Sequence, residues 1–161
     1  MINPGTLLDD IVTQLRLVSA LVTEMAGDPD RIAPYYDNYP ESTSTTRAIQ
    51  DMPAPGLLVM YDGTSQGGGR MQPWAHQFKL ILKLGEKVSA STGADHYSAL
   101  HLLVDGIPTG GALKLLNMEI NSGCDGMDVP RMERQGLIID AAGNQMDYWV
   151  VRWVLSEKGD D

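Results

Sequence analysis

Gly63-Thr64-Ser65-Gln66-Gly67 has the G-x-S-x-G spacing. In that motif a serine on a sharp strand-to-helix turn becomes an exposed nucleophile. The apolar run ahead of it, Leu57 to Tyr61, suits the strand such a turn requires. The residues after the serine do not suit the helix. Gln66 is succeeded by Gly67, Gly68, Gly69, Arg70, Met71, Gln72 and Pro73, and consecutive glycines resist helix formation because ordering them loses the most backbone entropy. Pro73 then opens a pattern of period two. His96, His101, Asp95 and Asp105 complete a triad on paper, but without the helix nothing holds an oxyanion. Ser65 is therefore expected on a connection between two strands. A small serine hydrolase using Ser65 stands as the alternative of another class.

Other chemistries fail on residue type or spacing. Gly63 to Gly68 has the spacing of a phosphate-cradling loop, yet Gly69 and Arg70 stand where Lys and Ser or Thr are required. Asn121 to Gly126 resembles the start of a calcium loop, but the twelfth position falls on Met132 and Glu133 comes one residue late. A turn between strands accounts for Gly123 and Gly126. His96 and His101 are five positions apart, which points them about 140° apart on a helix and prevents a shared metal. His76 falls within a strand pattern, where a local hydrogen bond satisfies it. The expectation is no catalytic residue, no cofactor and no metal.

The chain has 161 residues with a formal net charge of -9, set by 21 acidic and 12 basic residues. This balance argues against gripping nucleic acid, which needs clustered cations to displace counterions from phosphates, and against docking on anionic membrane. Cys124 is the single cysteine, so no disulfide forms within the chain. Acidic residues near the start replace the positive segment of a signal peptide, and no apolar run approaches the length of a membrane span. These features predict a soluble protein made in a reducing cytoplasm.

The elements that would position these residues are set by periodicity. Thr6 to Asp9 resembles a capping box. Leu8, Ile11, Val12, Leu15, Val18, Val22 and Met25 then recur at helical spacing until Gly27, predicting one long amphipathic helix. Residues 28–55 are polar, with Ser42 to Thr46 lacking any period, and read as a long irregular loop of the kind that usually serves a contact. Residues 62–72 read as a Gly-rich loop. Strands are predicted at Leu57 to Tyr61, Pro73 to Leu84, Leu113 to Ile120, Arg131 to Asp140 and Gln145 to Leu155, the last two as a hairpin through Ala141 to Asn144. On the second of these strands Trp74, His76, Phe78, Leu80, Leu82 and Leu84 share one face, while Gln77, Lys79 and Lys83 take the other. A second helix is predicted from Thr92-Gly93-Ala94-Asp95 through Val104. The final strand is apolar on both faces, which places it centrally in a sheet, and the tail from Ser156 reads as a frayed end. Together these predict a single α+β domain: a mainly antiparallel sheet of four to five strands with a long N-terminal helix and a second helix packed on it.

An amphipathic N-terminal helix, a polar excursion, a strand reading GLLVMYDGT, a Gly-rich loop, a long strand reading PWAHQFKLILKL, a helix, and a closing strand reading QMDYWVVRWVL occur in that order. In this order and strand character the chain resembles the tail-terminator, or tail-completion, proteins of long-tailed bacteriophages, over roughly Thr6 to Glu157. Neck proteins such as head-completion adaptors and stoppers share the same outline. The resemblance implies a structural virion protein: a homo-hexameric ring that caps the tail tube, ends its polymerisation and meets the head–tail connector, with DNA passing through the lumen. It assigns no contact residue one by one. From the residues themselves, Tyr35, Tyr36 and Tyr39 are candidate interface anchors, because aromatic side chains are enriched at contact cores; the alternative is packing over the chain's own core edge. Gly67, Gly68, Gly69 and Arg70 are a second candidate contact, the alternative for Arg70 being simple solvation.

Overall fold

The first helix begins earlier than the capping-box pattern indicates. In a computed structural model of the chain, which describes residues 1–35, 51–66, 74–84, 93–104, 124–127, 131–139, 143 and 145–157, α1 runs Pro4–Arg16. Asn3 caps it, its side-chain oxygen accepting from the Gly5 N–H at 2.8 Å, and Pro4 occupies the first turn, where its missing N–H is no loss. Nor is the predicted long helix continuous. Leu17 and Val18 leave the helical ladder, with the Val18 backbone extended, and α2 resumes over Ser19–Glu24. The break re-aims the apolar stripe: Leu7, Leu8, Ile11, Val12 and Leu15 are buried on α1, Leu21 is buried on α2 and Met25 just beyond it, while Leu17 is left 71% exposed.

A 3₁₀ turn, Pro29–Arg31, leads into β1, Ile32–Tyr35, a strand inside the stretch predicted to be irregular. β2 covers Gly56–Gln66 and β3 Trp74–Lys83, so 62–66 belongs to a strand rather than to a Gly-rich loop. Two short helices come next, α3 at Gly93–His96 and α4 at Ser98–Val104, almost one helix through Tyr97. β4 is Cys124–Met127, β5 Arg131–Ile139 and β6 Gln145–Glu157. Part of the segment predicted as a turn is thus a strand, and the strand predicted at Leu113 to Ile120 lies outside the described residues.

The described strands form one six-stranded sheet, in the order β1-β2-β3-β6-β4 with β5 also on β6. It is mainly antiparallel; β1 alone among the described pairings runs parallel, to β2. Pro34 cannot donate to a ladder, which suits β1 to its edge position. β6 is central, as its two apolar faces predict: β3 takes one side over Tyr148 to Ser156. On its other side β4 pairs Leu155 to Glu157 and β5 pairs Gln145 to Arg152. β4 and β5 therefore succeed each other along a single edge of β6, slipping register between Asp125 and Met127 and again between Arg134 and Gly136.

The core lies on one face. Leu57 and Val59 of β2, Phe78, Leu80 and Leu82 of β3, and Val151, Trp153 and Leu155 of β6 meet α1, α2 and α4 there. The opposite face is apolar at one end, where Tyr35, Leu58, Ile81 and Val150 cluster with Met52, Met60 and Tyr148, and open at the other, where Gln77 and Arg152 are exposed.

Candidate functional site

Ser65 lies in β2, opposite Ala75 of β3. Its backbone is extended strand, so no nucleophile elbow exists at this position. His96 does not approach it. Its Nε2 lies 3.3 Å from Asp147 Oδ2, and Asp147 precedes Tyr148, the partner of Lys83 at the far end of β3. Ala75 and Lys83 are eight positions apart, about 27 Å of strand. His101 is exposed on α4. The paper triad is not assembled.

The neighbouring residue does enter a hydroxyl–imidazole–carboxylate line. A bulge makes this possible. Between Tyr61 and Gly63 the β2–β3 register shifts, with Asp62 as the extra residue and Gly63 at φ +134°, a region open mainly to glycine. The shift brings Thr64 opposite His76 on the helix-covered face. The Tyr61 hydroxyl meets Thr64 Oγ1, which lies 3.1 Å from His76 Nδ1. His76 Nε2 lies 3.2 Å from Glu157 Oε2, and Glu157 Oε1 accepts from the Ile2 N–H at 2.5 Å.

A neutral imidazole with its proton on Nε2 satisfies every atom in this line. The carboxylate accepts from Nε2–H and from Ile2, Nδ1 accepts from the Thr64 hydroxyl, and that oxygen accepts from Tyr61. Burial pushes the Tyr61 phenol above its usual 10.0, keeping it a donor at neutral pH. The geometry suits cohesion more than acyl transfer. The His76 ring is 0% exposed, and the Thr64 oxygen is engaged from two sides. The line joins β2, β3, the end of β6 and the residue before the α1 cap. Ser156 and Glu157, predicted to fray, are thus part of the last strand.

A second feature occupies the open end of the opposite face. Asp62, re-aimed by the bulge, lies 3.7 Å from Lys79 Nζ and 3.4 Å from Arg152 Nη1. Lys79 and Arg152 are direct cross-strand partners, and the register continues from Arg152 to Arg131 on β5. The other described basic side chains turn inward. Arg16 Nε donates to the Ile32 carbonyl at 2.8 Å, Arg31 to that of Pro55 at 3.2 Å, and Lys83 Nζ to that of Met52 at 2.9 Å. Lys83, predicted to face solvent with Gln77 and Lys79, is buried. The carboxylates Asp9, Asp10, Asp28, Asp30, Asp51 and Asp95 are all exposed. Among the described residues no group of three or more His, Cys, Asp or Glu could hold a metal ion, and no helix is long and apolar enough to cross a membrane.

Of the predicted interface residues, Tyr35 is described. It ends β1, is 7% exposed and packs with Leu58, Ile81 and Val150 of its own sheet, leaving little surface for a neighbour. Tyr36, Tyr39, Gly67, Gly68, Gly69 and Arg70 lie outside the described residues. Sequence reasoning missed the Thr64–His76–Glu157 line, since His76 and Glu157 are 81 positions apart. The one signal available was a histidine and a terminal glutamate each in phase with the core face of its strand.

No family model matches the chain, and no curated protein matches it. Among solved structures, a chain in the virion of a native gene transfer agent particle is similar in shape, with a TM-score of 0.45 and 12% sequence identity over 96% of each chain.

Proposed function

We propose that the chain is a structural subunit of a phage-type virion, without enzymatic activity, and that it serves as a tail terminator. In this reading six copies form a ring that caps the tail tube, ends its polymerisation and meets the head–tail connector. An adaptor or stopper at the same neck is the runner-up within this class. The observation that carries the reading is the element order: N-terminal helices, the β2–β3 hairpin, a helical pair and the closing β5–β6 hairpin build one sheet with helices on one face. That is the order on which the resemblance to tail-completion proteins rests.

The distribution of charge supports the same role. Among the described side chains Arg16, Arg31 and Lys83 donate to backbone carbonyls, while Asp9, Asp10, Asp28, Asp30, Asp51 and Asp95 are exposed. A six-membered ring would carry six times -9, about -54, and an acidic lumen repels DNA phosphates rather than holding them. The test is genetic. Deleting the gene from the genome that carries it is expected to give tails of uncontrolled length that fail to join heads. Normal-length, joined tails would refute the terminator role. A fluorophosphonate probe addresses the other class, and labelling that disappears with Ser65→Ala would restore the hydrolase.

A further inference from the structure

Two Asp–Gly steps fall among the described residues, and the sheet holds them differently. Asp125–Gly126 lies in β4, where Asp125 stands opposite Ser156 and the glycine after it is left out of the ladder. In β2 the aspartate itself is left out: Asp62 is the extra residue of the bulge, and the register resumes with Gly63 opposite Gln77. Such a residue sits where the ladder is locally disrupted. Asp62 is exposed, and its carboxylate is held only by the long contacts to Lys79 at 3.7 Å and Arg152 at 3.4 Å. Gly63 has a φ of +134° and nothing within 4 Å of the point a Cβ would occupy. Its nitrogen therefore carries no side-chain shield against the carboxyl that precedes it.

We propose that Asp62 is a site of spontaneous backbone modification, converted to isoaspartate through a cyclic imide with Gly63. The Gly63 nitrogen attacks Asp62 Cγ. A Cγ–O bond breaks, and that oxygen leaves as water with the amide proton and one proton from solvent. Water then adds at the former main-chain carbonyl carbon and breaks its bond to the Gly63 nitrogen, returning one proton to solvent. The chain now runs through Cγ, one methylene longer, and the free carboxylate sits directly on Cα. The bulge is where an added methylene has the largest effect, because it sets the register that brings Thr64 opposite His76. Isomerisation moves the Thr64 hydroxyl off the imidazole and draws the carboxylate back from Lys79 and Arg152. A chain aged at this position loses the β2 end of its buried hydroxyl–imidazole–carboxylate line. The step is independent of the virion role proposed above.

The test ages the natural chain for weeks in warm neutral buffer, beside a synthetic peptide of residues 58–66 as the unstructured reference. Isoaspartate is then located in the digested chain by electron-transfer fragmentation. Asp62 is expected to convert at roughly a tenth or more of the peptide's rate, because a disrupted ladder opens locally at little cost. Asp125, held opposite Ser156, should convert roughly tenfold or more slowly than Asp62. Aspartate fully retained at 62 while the peptide converts overturns the proposal, and so does Asp125 converting as fast as Asp62. Leu15→Ala, which lowers global stability from α1, separates the bulge from unfolding. An unchanged rate at Asp62 is expected there, whereas a rate that climbs assigns the reaction to the unfolded chain and overturns the proposal. The aged chain, separated from the fresh one, should unfold at a lower denaturant concentration, and nitrogen-15 NMR should show the His76 ring changed. Isoaspartate at 62 with both stability and His76 unaltered would sink the register consequence.

Discussion

At the scale of single residues, the neutral tautomer of His76 with its proton on Nε2 gives each proton in the buried line from Tyr61 to Ile2 one direction. The Ile2 N–H is fixed by the backbone and always donates. In Glu157→Gln the amide oxygen must face Ile2, so the amide nitrogen faces His76. The ring can meet that donor only by moving its own proton from Nε2 to Nδ1. Nitrogen-15 NMR is expected to show this tautomer switch, and an unchanged ring would disprove the assignment. Thr64→Val removes the central hydroxyl and strands both His76 Nδ1 and the Tyr61 phenol, a loss of about 1–3 kcal/mol by denaturant unfolding. Adding Tyr61→Phe should recover part of that loss. The phenol also gives a pH dependence. Its proton is held more tightly in the folded state than in the unfolded chain, so stability is complete below about pH 10 and falls as pH rises through the folded value. Tyr61→Phe should flatten that alkaline fall.

Elements were legible where burial imposes a period and illegible where geometry bends the chain. β3 could be read from its alternation, and His76, Phe78, Leu80, Leu82 and Leu84 are all buried as that alternation requires. β6 could be read as central because no solvent-facing strand is apolar on both sides. β1 could not: four residues including a proline carry no period, and its pairing with Leu57 to Met60 is set from outside the segment. The break after Arg16 was hidden for the opposite reason, since apolar residues continue at helical spacing straight through it. That break predicts a contrast between two leucines two positions apart. Leu15→Ala, at a fully buried position, should lose about 2–5 kcal/mol, whereas Leu17→Ala should stay within about 0.5 kcal/mol of the parent; equal losses would restore a continuous helix. The bulge in β2 gives a second element-scale test. Gly63 has open space for a Cβ but a φ of +134°, so Gly63→Ala strains backbone alone. Gly56→Ala instead drives a Cβ into the Pro53 carbonyl oxygen, a backbone atom that cannot swing aside, and thermal unfolding should show it to be the more damaging of the two.

For the whole molecule, net charge was plain in the sequence, but its placement was not, because placement depends on which cations find carbonyl partners after folding. Lys83 shows why. In the alternation of β3 it belongs to the polar face, yet on that face it lies toward the apolar end, and its ammonium is buried with the Met52 carbonyl as acceptor. Arg16 and Arg31 likewise bind backbone oxygens in the region of β1 and its approach to β2. Among the described side chains these cations turn inward while Asp9, Asp10, Asp28, Asp30, Asp51 and Asp95 face solvent, and exposed carboxylates repel a polyanion. Phosphate binding requires cations able to displace several counterions at once, and among the described side chains Arg152 and Lys79 are what remains, already sharing Asp62. The natural chain is therefore expected to leave duplex DNA unretarded in a gel-shift assay even at about 50 mM salt, where such attraction is least screened. Asp62→Asn tests the argument from the other side: it frees both cations, and any retardation should appear there first. Strong binding by the natural chain would mean that the DNA-facing surface is basic, and a low-friction lumen could not be built from it.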